Sequence, residues 1–165
     1  MVLHELPPVY DERSRVLILG SFPSPKSRET GFYYGHPQNR FWKALSMALG
    51  EPCPGSIPEK KAFLKKNGIA LWDVVASCDI VGAGDNTIKN ALPNDFSVIL
   101  SAADIRAVFT TGRTATGLYR KFTGKESVML PSPSPANCAV SLEELAEKYK
   151  TVAFYLKGED DDRFR

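Results

Sequence analysis

Metal and disulfide chemistry have little to work with in this chain. Its 165 residues include two histidines, His4 and His36, and three cysteines, Cys53, Cys78 and Cys138. The cysteines are odd in number, far apart and form no CxxC pair. That spacing argues against a disulfide framework and offers no zinc or iron–sulfur ligand set. No metal and no other cofactor is therefore expected. Long apolar runs are missing too: nothing approaches the ~18 consecutive apolar residues of a membrane span. The N-terminal MVLHELPPVYDER has Pro-Pro and acids where a signal peptide carries an apolar stretch. The expectation is a cytoplasmic protein with no membrane contact. A strong excess of one charge is also absent, since the net charge is +2. Residues 159–165 (EDDDRFR) sum to −2, which leaves the body mildly basic at +4 and compatible with nucleic acid.

What is present fits one domain over 1–165, close to the roughly 150-residue prior. Residues 1–14 read as an irregular lead-in and 158–165 as an acidic tail. No internal repeat or long linker divides the chain, and a monomer is expected. Four short apolar segments read as buried strands: RVLILG at 15–20, IALWDVV at 69–75, RAVFT at 106–110 and SVML at 127–130. Helical patterns fall between them. Phe41, Trp42, Leu45, Ala48 and Leu49 share one face of a helix that starts near Asn39 and ends at Gly50. Ser56 can cap a second helix, with Pro58 in its first turn. Helices are also predicted over 94–103, 114–122 and 141–155. The last opens on the capping box Ser141-Leu-Glu-Glu144, with Val140 and Leu145 as a hydrophobic staple. Strands alternating with helices predict an α/β fold, a three-layer αβα sandwich around a four-stranded parallel sheet. Ligands in such folds bind outside the carboxyl ends of the strands. Three long loops, 21–38, 76–93 and 131–137, should meet there.

Two of those loops alternate serine and proline. Proline stiffens them, and serine hydroxyls with free backbone N–H groups suit phosphate oxygens. Ser24, Ser27, Ser132, Ser134 and Asn137 are the candidate contacts to a DNA backbone. The segment GFYYGHPQNRFW at 31–42 packs aromatic, histidine and amide side chains just ahead of a helix. Aromatic faces can stack on an extruded base, and amides can read its edge. Phe41 and Trp42 are read as core. Tyr33 and Tyr34 are harder to bury wholly, because their hydroxyls need partners. Asn39 lies where a helix start favours developing negative charge, a position that also suits a plain N-cap.

Taken in order, GSFPS at 20–24, HPQNRFW at 36–42 and LPSPS at 130–134 resemble the motifs of the uracil-DNA glycosylase superfamily. The HPxNRFW stretch is similar to the mismatch-specific uracil/thymine branch. The first motif and the SPAN ending at 134–137 are more similar to the hypoxanthine-DNA (DNA-deoxyinosine) glycosylases. The resemblance covers roughly residues 16–155. It implies a metal-free monofunctional enzyme of base excision repair, acting on DNA with deaminated bases and so found at the nucleoid. Ser21, Phe22, Tyr34 and His36 would line the base pocket, with Tyr34 in the place of the aromatic that stacks on the flipped base. Asn39 would fall in the base-pocket segment, and Ser132 and Ser134 would grip the backbone.

Three departures from the family pattern bear on mechanism. Leu130 and Ser132 stand where many relatives carry a His before the second-motif Pro-Ser, or an Asn in the mismatch branch. Phe22 stands where the uracil enzymes place an Asp or Asn two residues after the first-motif glycine. Pro135-Ala136-Asn137 replaces the leucine wedge of several relatives, so a hydrophobic wedge is not expected to open the duplex. The catalytic expectation therefore moves to Asn39, as a group that orients water or binds the leaving base. His36 is a possible proton donor to the base. Asp73, Asp79 and Asp85 are read as structural acids held in reserve. The competing readings are a uracil or mismatch glycosylase, a non-catalytic binder of damaged or single-stranded DNA, and a nucleoside hydrolase.

Overall fold

The computed structural model describes residues 1–157; the acidic tail at 158–165 lies outside the described residues. Four strands form the central sheet: β2 (Val16–Gly20), β3 (Ile69–Asp73), β6 (Ala107–Thr111) and β7 (Val128–Leu130). All are parallel, in the order β3-β2-β6-β7. Every residue of β2 and β3 is buried. That is why both read as continuous apolar runs rather than alternating ones. Flanking helices complete the α/β fold expected from the sequence. They are α1 (Pro25–Thr30), α2 (Phe41–Leu49), α3 (Ile57–Lys66), α4 (Ser97–Leu100), α5 (Arg113–Thr123) and α6 (Leu142–Lys157).

Local chemistry sets the helix ends. Ser56 Oγ accepts from Glu59 N–H, and Ser141 Oγ accepts from Glu144 N–H, as the caps predict. Helix α2 packs on α6, where Phe41 meets Tyr149 edge-on at 6.2 Å between ring centres. The helix expected over 94–103 is shorter, a single α turn at Ser97–Leu100.

Three expectations are corrected. The lead-in is not irregular: β1 (Val2–Leu3) pairs with a strand of a second sheet, and Val9 bridges Leu71. Tyr33 explains part of this order. It is fully buried, against expectation, and its hydroxyl donates to the carbonyls of Pro7 at 2.8 Å and Leu6 at 3.2 Å. The 76–93 loop is mostly β4 (Val75–Asp79), a 3₁₀ turn (Asp85–Thr87) and β5 (Lys89–Pro93), which build an antiparallel sheet in the order β1-β4-β5. The 21–38 loop contains α1, capped by Ser24.

Topology fixes where a ligand belongs. From β2 the chain crosses to β3 on one side, then returns to place β6 and β7 on the other. The order reverses at β2 and β6, so the crevice beyond their carboxyl ends is the switch point of the sheet. Gly20 and Thr111 flank it.

Candidate active site

The switch-point crevice gathers polar groups from distant parts of the chain. Gly20 ends β2 because nothing larger fits. A Cβ there would stand 2.4 Å from Asp73 Oδ1 and 2.9 Å from the Tyr34 hydroxyl. Tyr34 reaches this point with φ of +53°, a left-handed backbone uncommon for a bulky residue. Strain of this kind persists only where surrounding contacts over-determine it, and such places cluster at functional sites. Two contacts hold the residue. Its ring stacks on Phe41, with centres 4.0 Å apart and planes at 16°, and its hydroxyl lies 3.0 Å from Thr111 Oγ1. Burial, reinforced by the neighbouring Asp73 carboxylate, raises the phenol pKa well above its usual value.

Gly20→Ala is therefore expected to displace Asp73 and Tyr34 together. Forcing a methyl into such a contact costs about 1–3 kcal/mol, measurable as a lower urea midpoint with an unchanged m-value.

Asp73, at the carboxyl end of β3, is buried and bonded to His4, whose Nε2 lies 2.8 Å from Asp73 Oδ2. Close by, Ser21 Oγ donates to Asp85 Oδ2 at 2.7 Å. Burial raises the Asp85 pKa, the Ser21 hydrogen bond lowers it in part, and the Asp73 charge raises it further. A pair of carboxyls in one crevice with unlike hydrogen-bond partners is a common arrangement for dividing proton-accepting and proton-donating roles. Asp79 lies apart, exposed and bound to the N-terminal amine at 3.2 Å and to Asn90 Nδ2 at 2.8 Å.

Asn39 sits at the entrance to α2. Its Oδ1 accepts from Phe41 N–H at 2.9 Å. The N–H can only donate, so the amide orientation follows from the partner. Among the described residues Asn39 Nδ2 makes no hydrogen bond. The side chain thus serves the helix with its oxygen and keeps a donor in hand. His36 Nδ1 accepts from Gln38 N–H at 3.0 Å, a bond within its own loop.

The 131–140 loop is tied to the start of α2 by Arg40, a residue the sequence pattern did not single out. Arg40 N–H donates to the Pro133 carbonyl at 3.1 Å. Its guanidinium donates to the carbonyls of Val140, Asn137 (2.9 Å) and Ser134 (3.1 Å). Tyr149 secures the loop's beginning by donating to the Pro131 carbonyl at 3.1 Å. Gly112, at φ +92°, lets the turn after β6 pass close to Ser132. Within the loop, Ser132 Oγ accepts from Ser134 N–H, Ser134 Oγ accepts from Ala136 N–H, and Asn137 Nδ2 donates to the Ser132 carbonyl. Both serine O–H groups remain as donors.

Two expected site residues are placed differently. Ser27 is buried at 2% exposure; its hydroxyl accepts from Gly35 N–H at 3.0 Å and from Ser24 Oγ at 3.1 Å. It braces the loop that carries Tyr34 and is not positioned for a phosphate. Phe22 is also buried, edge-on to His4 at 6.0 Å between ring centres and covered by the Arg28 guanidinium at 5.8 Å. It packs behind the crevice rather than lining a base pocket.

The family model of the uracil DNA glycosylase superfamily matches residues 7–156. The chain belongs to this superfamily. Among its members, a protein of Methanosarcina acetivorans described as a hypoxanthine DNA glycosylase is 39% identical over 142 residues, covering 83% of this chain and 89% of the relative. A protein of Methanosarcina barkeri with the same description is 37% identical over 136 residues, covering 79% and 85%. The superfamily fold is matched as well. The solution NMR structure of a uracil DNA glycosylase candidate from Methanosarcina acetivorans superposes with a TM-score of 0.76 at 33% identity, over 93% of this chain and 99% of the other. The Gly20, Asn39 and Ser132 segments all lie within the superfamily match.

Proposed function

We propose that this superfamily member excises hypoxanthine from deoxyinosine in DNA, flipping the nucleotide out and hydrolysing its N-glycosidic bond. The observation that carries this reading is that Phe41 adjoins both a half-buried aromatic, Tyr34, stacked on its ring, and an amide with an uncommitted donor, Asn39, bound to its N–H. Tyr34 offers the ring face away from Phe41 to an extruded base. Asn39 Nδ2 donates to the base as it leaves.

Glycosidic cleavage builds positive charge on the sugar and negative charge on the departing base. A donor stabilises that negative charge. The free Nδ2 donor suits Asn39 to the leaving base, while its oxygen accepts from Phe41 N–H. The Ser132 and Ser134 hydroxyls donate to phosphates beside the flipped nucleotide, on a loop held rigid by Arg40. The choice of hypoxanthine is supported by the descriptions of the two Methanosarcina relatives.

An alkaline nicking assay tests the reading. Duplexes carry one hypoxanthine, uracil or xanthine opposite each normal base. Nicking at hypoxanthine, faster than at uracil, is the expected outcome. Nicking at none of them rules out the enzyme reading, and faster nicking at uracil reverses the substrate assignment.

A further inference from the structure

Phe22 stands where the first motif of the uracil enzymes places a carboxylate or amide, and the neutral Asn39 amide is too weak a base to take a proton from water. The crevice nevertheless holds an acceptor from another strand. Asp73 Oδ1 projects over Gly20 to the point that the Tyr34 hydroxyl also approaches. Asp73 Oδ2 is held by His4. Oδ1 makes no hydrogen bond among the described residues, yet it is not among their solvent-sealed unpartnered atoms, and 5% of the side chain stays exposed. A carboxylate oxygen that has no protein partner and is not sealed from solvent is free to accept from a water.

We infer that Asp73, oriented by His4 from the N-terminal segment, is the group that holds and deprotonates the attacking water. The inference rests on the glycosylase reading and adds to it the residue that replaces the missing first-motif group. In the step, the C1′–N9 bond breaks and its electron pair leaves on the base, where the Asn39 amide receives the growing charge. The water oxygen bonds to C1′, and its proton passes to Asp73 Oδ1 and then to solvent. The departing base takes one proton from solvent. No further reactant is needed. A carboxylate here also favours the positive charge that develops on the sugar.

The division of labour matches the chemistry of the two side chains. An acceptor belongs beside the water and the cationic sugar, and a donor beside the anionic base. His4 explains why the N-terminal segment is ordered into the fold. One imidazole N–H fixes which carboxylate oxygen is occupied and which one faces the crevice, the role of an orienting partner to a catalytic acid or base. The titratable groups around Asp73 are His4, Asp85, Tyr33 and Tyr34.

The test uses the full chain and a deoxyinosine duplex on which the parent protein is active. Asp73→Asn keeps the shape of the side chain and an acceptor for His4. Its single-turnover rate of base release should fall about 10²–10⁴-fold, the usual contribution of a general base. Duplex affinity and thermal midpoint should stay close to the parent's. His4→Ala should lose less.

Asp73→Asn activity within about fivefold of the parent overturns the inference. So does a loss confined to KM and base discrimination, which would make Asp73 a reader of the base. A parent inactive on every base would instead sink the glycosylase reading itself, so the two failures are distinguishable.

Discussion

Asn39→Ala will release hypoxanthine from duplex DNA roughly 10²–10³-fold more slowly than the parent protein, with nearly unchanged affinity for the duplex. The magnitude is that of removing one donor aimed at charge that develops only in the transition state. In the proposed reading, ground-state binding falls to other groups: the Tyr34 ring face and the Ser132 and Ser134 hydroxyls. A loss of turnover without a loss of affinity identifies differential stabilisation of the transition state. The variant also loses the oxygen that accepts from Phe41 N–H, a hydrogen bond worth about 0.5–1.5 kcal/mol. Asn39→Asp separates the two roles: it restores that acceptor but supplies no donor to the base. Asn39→Asp should therefore recover the stability and not the rate.

The second large effect belongs to Arg40. Its guanidinium reaches three carbonyls of the 134–140 segment while its backbone N–H takes a fourth carbonyl from the same loop. Arg40→Ala leaves the three side-chain acceptors without their donor in a partly buried setting. Hydrogen bonds to a charged group contribute about 1.5–3 kcal/mol each, and the three do not add. A loss of about 2–4 kcal/mol in urea denaturation is expected. DNA affinity should fall along with it, because the serine hydroxyls lose their fixed positions. Arg40→Lys should restore little, since an ammonium cannot fork across three acceptors as a planar guanidinium does. A stability change below about 1 kcal/mol would show that the loop holds itself.

The parallel sheet and its site loops were legible because their signals are local. The VLILG and IALWD segments are buried on both faces, so their sequences are apolar throughout. Ser56 and Ser141 cap their helices through bonds three residues away. The small antiparallel sheet was not legible. Its first strand has two residues, and β5 is a mostly exposed strand that reads KNALP, with no apolar alternation to betray it. The N-terminal segment gave no sign of joining the fold. Its anchors, His4 to Asp73 and Tyr33 to Pro7, span 69 and 26 residues.

The same distance effect hid part of the site. Asp73 reads as a polar stop at the end of an apolar strand; only the fold shows it meeting His4, Gly20 and Tyr34. Ser27 shows the converse. Its neighbours in sequence suggest a phosphate contact, but a hydrogen bond to Gly35 turns it inward. Asn39 combines both readings, because its oxygen accepts from Phe41 N–H at the entrance to the helix and its amide N–H₂ stays uncommitted.

The most direct measurement is the quantity of free base released in a single turnover from a duplex containing one deoxyinosine, with protein in excess. One equivalent of hypoxanthine and one abasic site per duplex are expected for the parent protein. For Asn39→Ala bound equally well, almost none is expected over the same interval. Release at parental rate from Asn39→Ala, or an intact deoxyinosine after binding by the parent protein, would contradict it.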